Sequence, residues 1–170
     1  MFYLDVFRQL DEKRVRYVLV GGLAINLHGV PRLTSSVDLL LAPDTDNMRA
    51  LLAIADTLVL QVGAPGATED MSEAGGRRSW MTERALVALT LRSKNADDPL
   101  INVLLDQKER VDEALMRAEC REVGGATVRL AAIDDLIRLK HKARRPQDLA
   151  DVVHLYRLQQ KGLKLKHERR

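Results

Sequence analysis

The sequence predicts an α+β fold in which a β-sheet is flanked by helices and two further helices close the chain. Short apolar runs bounded by turn residues, such as residues 17–20 and 36–41, are typical of buried strands. Longer segments repeat apolar residues at helical spacing, which is typical of amphipathic helices. The chain has 170 residues, enough for one domain with a sizeable core. We expect an α/β core over residues 1–130 and, in the same compact unit, a C-terminal helical segment with a basic tail over residues 131–170.

The predicted strands are short and end at turn residues. The first two flank a glycine-rich corner, and a later pair is joined by the turn Asn-Ala-Asp-Asp-Pro at residues 95–99. A small hairpin is predicted around Gly124 and Gly125, because paired glycines tolerate the positive φ angles of tight turns. The predicted strands are Tyr17–Val20, Ser36–Leu41, Leu86–Leu91 and Leu100–Asp106, and the hairpin spans Arg121–Leu130.

The predicted helices begin and end at local signals. Residues 43–46, Pro-Asp-Thr-Asp, supply a turn and a cap for the helix that follows them. Gly29 and Pro31 stop a short helix, and Pro146 separates the final two. Over Val62–Arg78 the composition shifts to Gly, Ala, Pro, Ser and Glu, which predicts a surface loop that either orders over a substrate or only connects two elements. The predicted helices are Met1–Val15, Leu23–His28, Asn47–Leu58, Arg110–Ala118, Ile133–Arg144 and Gln147–Gln160.

The composition is that of an ordinary globular protein, with 46% apolar and 30% charged residues. No apolar run approaches the roughly 20 residues that cross a bilayer, and the N-terminus lacks the pattern of a signal peptide. A single cysteine, Cys120, excludes an intramolecular disulfide and a cysteine-based zinc site. We therefore expect a cytoplasmic protein with no membrane partner.

The net charge of +3 is unevenly distributed along the chain. Basic residues are concentrated over Arg138–Arg145 and over Lys161–Arg170. Such blocks are compatible with binding to a polyanion such as RNA. The alternative is that they form a solvated helix face and a frayed terminus.

Gly21 and Gly22 lie between the first predicted strand and the start of a short helix. Paired glycines let the backbone approach a bulky anion, and the helix N-terminus supplies N–H groups and a partial positive charge. A phosphate suits these features. Asp38 on the following strand is placed to hold a cation against that phosphate, because hard divalent cations bind carboxylate and phosphate oxygens. The sequence therefore predicts a site for phosphate and metal.

The stretch from the paired glycines to the second strand resembles the signature of the nucleotidyltransferase superfamily. The branch it is most similar to is that of the AbiEii-type toxins, which also contains the MenT toxins. Ser36 departs from the signature, because the family has its first metal-binding aspartate at this position. The residues that match are Gly21, Gly22, Arg32, Thr34 and Asp38.

A second cluster near the C-terminus resembles the same branch, whose motif is a lysine, then an arginine, then Asp-Leu-x-Asp. Lys140 and Arg145 match the positions that address the nucleotide phosphates, and Asp148 and Asp151 match the acids that follow. From the residues alone, other roles stay open. Asp148 could cap the helix that begins near Gln147, and Asp151 could pair with a lysine or arginine one turn away.

The resemblance implies a nucleotidyltransferase-type mixed β-sheet, a nucleoside triphosphate as substrate or ligand, and Mg²⁺ as cofactor. It implies catalytic roles for Asp38, Lys140 and Asp148, and metal binding by Asp38 and Asn102. The residues it implies for nucleotide binding are Gly21, Gly22, Arg32, Thr34, Ser36, Lys140 and Arg145.

Two functions follow from the resemblance. The first is transfer of a nucleoside monophosphate to RNA such as tRNA, or to a protein hydroxyl, by a toxin with a cognate antitoxin. Ser36 and Asn102 stand where the family has metal-binding acids, so we expect Mg²⁺ binding and activity to be weakened or lost. The alternative function is therefore that of a catalytically inactive pseudo-nucleotidyltransferase that binds nucleotide, RNA or a partner.

Overall fold

The computed structural model describes residues 2–63, 87–143 and 146–168, and the side chains of residues 87, 88, 143 and 162–168 are not part of that description. The described residues form a mixed sheet with helices on its faces. The strands are β1 Tyr17–Val20, β2 Ser36–Leu41, β3 Gln61–Val62, β4 Val87–Arg92, β5 Leu100–Leu105, β6 Glu119–Val123 and β7 Ala126–Leu130. The helices are α1 Phe2–Glu12, α2 Gly21–Leu27, α3 Thr45–Thr57, α4 Lys108–Arg117, α5 Ile133–Ala143 and α6 Pro146–Glu168.

The strand order within the described sheet is β3-β4-β5-β2-β1-β7-β6. The central strand β2 pairs parallel with β5 and antiparallel with β1. On the outer side, β7 runs parallel to β1, and the β3–β4, β4–β5 and β6–β7 pairs are antiparallel. The predicted α+β fold with a mixed sheet and a C-terminal helical pair is thus confirmed.

Most predicted boundaries differ from the observed ones by a few residues, and the larger differences have local causes. The first helix ends at Glu12 rather than Val15, because Arg14 has a left-handed backbone with φ of 53°. The short helix begins directly at Gly21 rather than Leu23. The last helix continues to Glu168, since no proline or turn sequence stops it at residue 160. Most of the predicted loop over Val62–Arg78 lies outside the described residues.

The hydrophobic core lies between the sheet and the helices. Strand residues such as Leu19 and Leu39 are fully buried, and so are Phe7 of α1 and Met48 of α3. Helices α5 and α6 add buried side chains to the same core, among them Leu136, Ile137, Val152 and Leu155. No helix of the described residues combines the length and the apolar character that crossing a bilayer requires.

The sheet register places polar residues of two neighbouring strands side by side, next to the end of a third strand. Asp38 of β2 is the register partner of Asn102 in β5 and of Val20 in β1, directly before the glycine corner. Ser36 lies two residues before Asp38 and therefore on the same face of the strand. The candidate site is built at this end of β1, β2 and β5.

Candidate functional site

The corner between β1 and α2 is in close contact with β2. Gly21 has φ of +69°, and a Cβ atom added to it would lie 1.9 Å from Oδ2 of Asp38. A Cβ atom added to Gly22 would lie 2.8 Å from Oγ1 of Thr34. Because atoms cannot approach so closely, both positions require glycine for this backbone to pack against these side chains.

Asp38 is held by its two neighbours on the sheet. Its Oδ1 atom accepts hydrogen bonds from Oγ of Ser36 at 3.0 Å and from Nδ2 of Asn102 at 2.8 Å. The amide oxygen of Asn102 faces the hydroxyl of Thr90 at 3.2 Å. An ionised carboxylate only accepts hydrogen bonds, so the amide nitrogen of Asn102 must be the atom that faces Asp38. The two residues in place of the family's acids are therefore hydrogen-bond donors to the remaining acid.

The segment between α2 and β2 covers the glycine corner. The Thr34 hydroxyl donates to the carbonyl of Ser36 at 3.1 Å. Nη1 of Arg32 lies 3.3 Å from the position that a Cβ atom on Gly22 would occupy, and it donates to Oδ2 of Asp151 at 2.8 Å. Arg32 thus links the glycine corner to helix α6.

Lys140 lies between two acids of α6. Its Nζ atom is 2.7 Å from Oδ1 of Asp148 and 2.9 Å from Oδ2 of Asp151. All three side chains are buried, with Asp148 only 1% exposed. Asp151 therefore pairs with cations from other parts of the chain, and the pairing one turn away that the sequence left open is not what forms.

One cavity of about 600 Å³ brings nearly all the predicted site residues together. Arg145 lies outside the described residues. Leu104, Leu139 and Lys142 also line the cavity, although the sequence did not indicate them as site residues. Strand alternation places Leu104 on the same face as Asn102, which is the signal that could have found it. The predicted residues that line the cavity are Gly21, Gly22, Arg32, Thr34, Ser36, Asp38, Asn102, Lys140 and Asp148.

The described residues contain no group of three or more His, Cys, Asp or Glu side chains placed to hold a metal ion. Asp38 and Asn102, the predicted metal ligands, are in contact with each other. Cations and anions are mixed in the cavity wall, where Arg32, Lys140 and Lys142 accompany Asp38 and Asp148. The arrangement offers an anion three positively charged side chains and the backbone of a glycine corner.

The fold is that of the nucleotidyltransferases. An antigenic nucleotidyltransferase-like protein from Paracoccidioides brasiliensis matches with a TM-score of 0.58 and 16% identity, over 92% of this chain and 75% of that one. The structure of ANT(2″)-Ia in complex with adenylyl-2″-tobramycin matches with a TM-score of 0.57 and 18% identity, over 95% of this chain and 87% of that one. The solution structure of the antibiotic-resistance factor ANT(2″)-Ia gives 0.55 and 19%, with coverages of 95% and 82%.

The sequence assigns the chain to one family with this fold. The family described as nucleotidyl transferase AbiEii toxin, type IV toxin–antitoxin system, matches residues 5–168. The chain therefore belongs to the AbiEii nucleotidyltransferase toxin family, and the resemblance found in its motifs is confirmed. No curated protein matches the chain. Membership in this toxin family implies a nucleotide substrate and a cognate antitoxin.

Proposed function

We propose that this protein binds a nucleoside triphosphate in the cavity and transfers its nucleoside monophosphate to an RNA such as tRNA, or to a protein hydroxyl, at a rate that Ser36 and Asn102 lower. The observation that carries the proposal is the convergence of three separate parts of the chain on one cavity. These parts are the glycine corner, Asp38 on β2, and Lys140 with Asp148 on the C-terminal helices. A triphosphate needs close backbone approach and cations, and this cavity supplies both.

The residues have distinct roles in the proposed transfer. The hydroxyl oxygen of the acceptor forms a bond to the α-phosphorus, and pyrophosphate leaves. We assign Asp38 to accept the hydroxyl proton and Lys140 to stabilise the charge on the phosphates. Asp148, 2.7 Å from the Lys140 ammonium, fixes its position. Gly21, Gly22, Arg32, Thr34 and Ser36 form the wall against which the nucleotide binds.

The donor set around Asp38 does not fit a pair of Mg²⁺ ions. Two such ions need several carboxylate oxygens, and Asp38 is the one carboxylate of the β2–β5 face among the residues that line the cavity. Its Oδ1 atom already accepts two hydrogen bonds, and the oxygen of Asn102 is turned towards Thr90. These contacts support the proposal that Mg²⁺ binding is weakened or lost.

A second candidate function is binding without turnover. The hydrogen bonds from Ser36 and Asn102 give Asp38 partners that do not depend on a metal ion. A chain with this arrangement can keep a stable cavity for nucleotide, RNA or a partner after catalysis is lost. Both candidates share the nucleotide site, and they differ in whether a covalent product forms.

The test is incubation with labelled nucleoside triphosphates, Mg²⁺ or Mn²⁺, and total tRNA. We expect label on RNA or protein, loss of the label with Asp38→Ala, and no change with Asp56→Ala, which removes an exposed acid of α3. The double variant Ser36→Asp, Asn102→Asp should increase the rate about tenfold or more, because it restores two carboxylates.

Each outcome separates the candidates. Transfer that ignores Asp38→Ala would contradict the assigned role of Asp38. Nucleotide binding with no transfer under either metal would support the second candidate and contradict the first. An acid-restored variant that is no faster than the wild type would show that Ser36 and Asn102 do not lower the rate. Absence of nucleotide binding in the wild type would contradict the first candidate and would restrict the second to binding of RNA or a partner.

A further inference from the structure

One carboxylate oxygen contacts two of the three positively charged side chains that line the cavity. Oδ2 of Asp151 lies 2.8 Å from Nη1 of Arg32 and 2.9 Å from Nζ of Lys140. The three side chains are largely removed from water, with 7% exposure for Asp151, 17% for Arg32 and 8% for Lys140. Asp151 therefore acts as a bridge that fixes where two positive charges lie relative to each other.

The bridge joins parts of the chain that are distant in sequence. Arg32 precedes β2, Lys140 is on α5, and Asp151 is on α6. Arg32 and Lys140 both line the cavity, whereas Asp151 does not. Asp151 thus makes no direct contact with an anion in the cavity, and apart from its charge it acts on such an anion through the two cations that it contacts.

Lysine and arginine side chains are long and flexible, and fixing either one costs rotamer entropy. When folding has already fixed them, an incoming anion does not meet that cost, and its affinity rises. We infer that Asp151 is a positioning residue that holds Arg32 and Lys140 ready for the phosphates of the nucleotide. This inference rests on the proposed nucleotide site, and it adds a residue that does not touch the nucleotide.

The positioning role predicts that removal of Asp151 weakens anion binding, whereas simple electrostatics predicts that it strengthens anion binding. Replacing a carboxylate by a neutral amide makes the surroundings of the cavity more positive, which alone would strengthen binding of an anion. If Asp151 positions the cations, the same change weakens binding, because a neutral amide oxygen holds the guanidinium and the ammonium less strongly than an ionised carboxylate does. The sign of the change distinguishes positioning from net charge.

The chain provides a matched control in Asp135 of α5. This carboxylate is also buried, accepts two hydrogen bonds from Arg117 at 3.0 Å, and contacts Arg138. Its hydrogen bond to Arg117 raises the pKa of that guanidinium. Asp135 does not line the cavity. Asp135→Asn therefore removes a buried carboxylate that also pairs with two cations, although more exposed ones, away from the proposed phosphate site.

The experiment is calorimetric titration of the full chain with inorganic tripolyphosphate and, separately, with a nucleoside triphosphate. We expect Asp151→Asn to weaken tripolyphosphate binding about tenfold, and Asp135→Asn to change it by less than about twofold. Asp151→Glu keeps the charge but moves it by one methylene, so its affinity should be about threefold below that of the wild type. Thermal unfolding should show that both variants fold, with the larger destabilisation for Asp151→Asn, whose partners are less exposed.

The binding experiment tests the role of Asp151 separately from the transfer reaction, because it measures affinity and not product. A wild type that binds tripolyphosphate but transfers no nucleotide would contradict the transfer reaction and leave the role of Asp151 supported if Asp151→Asn binds more weakly. Unchanged or tighter binding by Asp151→Asn would overturn the inference. If that variant does not fold, Asp151→Glu decides, and wild-type affinity in it would overturn the inference. No tripolyphosphate binding by the wild type would overturn the inference, and absence of nucleoside triphosphate binding as well would contradict the proposed function.

Discussion

Gly21 combines two constraints that can be separated experimentally. Its φ of +69° disfavours any side chain, and a Cβ atom would also collide with Asp38. Gly29 has φ of +97° but open space around the corresponding position. We expect Gly21→Ala to destabilise the fold and to abolish nucleotide binding, measured by thermal unfolding and titration. Gly29→Ala should cost about 1 kcal/mol of backbone strain and keep the affinity. Equal losses of affinity in both variants would contradict a specific role for the contact between Gly21 and Asp38.

Tyr17 gives the fold a dependence on alkaline pH. Burial raises the pKa of Tyr17 from 10.0 to about 12, although nearby Arg129 opposes the change. The unfolded chain releases the phenol proton near pH 10, so this contribution to stability is present below pH 10 and is lost as pH rises towards 12. Between pH 8 and 11 the free energy of unfolding should fall by about 1 kcal/mol more in the wild type than in Tyr17→Phe. Tyr156 is 44% exposed, so Tyr156→Phe should follow the wild type in urea titrations.

At the scale of the element, periodicity predicted most strands and helices because burial enforces it. Strands β1 and β2 were predicted with their observed ends, since each is an apolar run between turn residues. Strand β3 has two residues, which is too short for any alternation to be visible.

The functional site was predictable where its residues are close together in sequence, as in the glycine corner before α2. The bridge through Asp151 depends on the packing of α6 against the segment before β2, and no local pattern encodes such packing.

Helix α3 is fixed to the sheet by one buried amide. The side chain of Asn47 accepts a hydrogen bond from the backbone N–H of Arg16 at 2.7 Å and donates to the carbonyls of Arg16 and Ala42, each at 3.0 Å. Asn47→Leu leaves these backbone groups without their partner and should lower the free energy of unfolding by about 3 kcal/mol. Thr57→Ala, at the exposed end of the same helix, should cost about 0.5 kcal/mol. Urea titration measures both, and a small effect of Asn47→Leu would show that water replaces the amide.

At the scale of the whole molecule, the C-terminal helices share a core with the sheet and an ion pair with the segment that precedes β2. Val152 and Leu155 of α6 are buried in the same cluster as the sheet residues, and Asp151 pairs with Arg32. Elements joined in this way have no independent core, so we expect the chain to unfold as one cooperative unit. The amide NMR signals of β2 and α6 should then disappear at the same urea concentration.

Lys140→Met tests this coupling, because it removes the ammonium that contacts both Asp148 and Asp151. Taking one partner from a buried ion cluster costs about 3 kcal/mol, and the midpoints for β2 and α6 should fall together. Lys142→Met, at an exposed position of α5, should change the free energy of unfolding by no more than about 0.5 kcal/mol and leave both midpoints close to those of the wild type. Loss of the α6 signals at a lower urea concentration than those of β2 would mean that the helical pair is a separate unit. In that case the cavity could open without unfolding of the sheet, and nucleotide affinity would depend on how firmly α6 is docked.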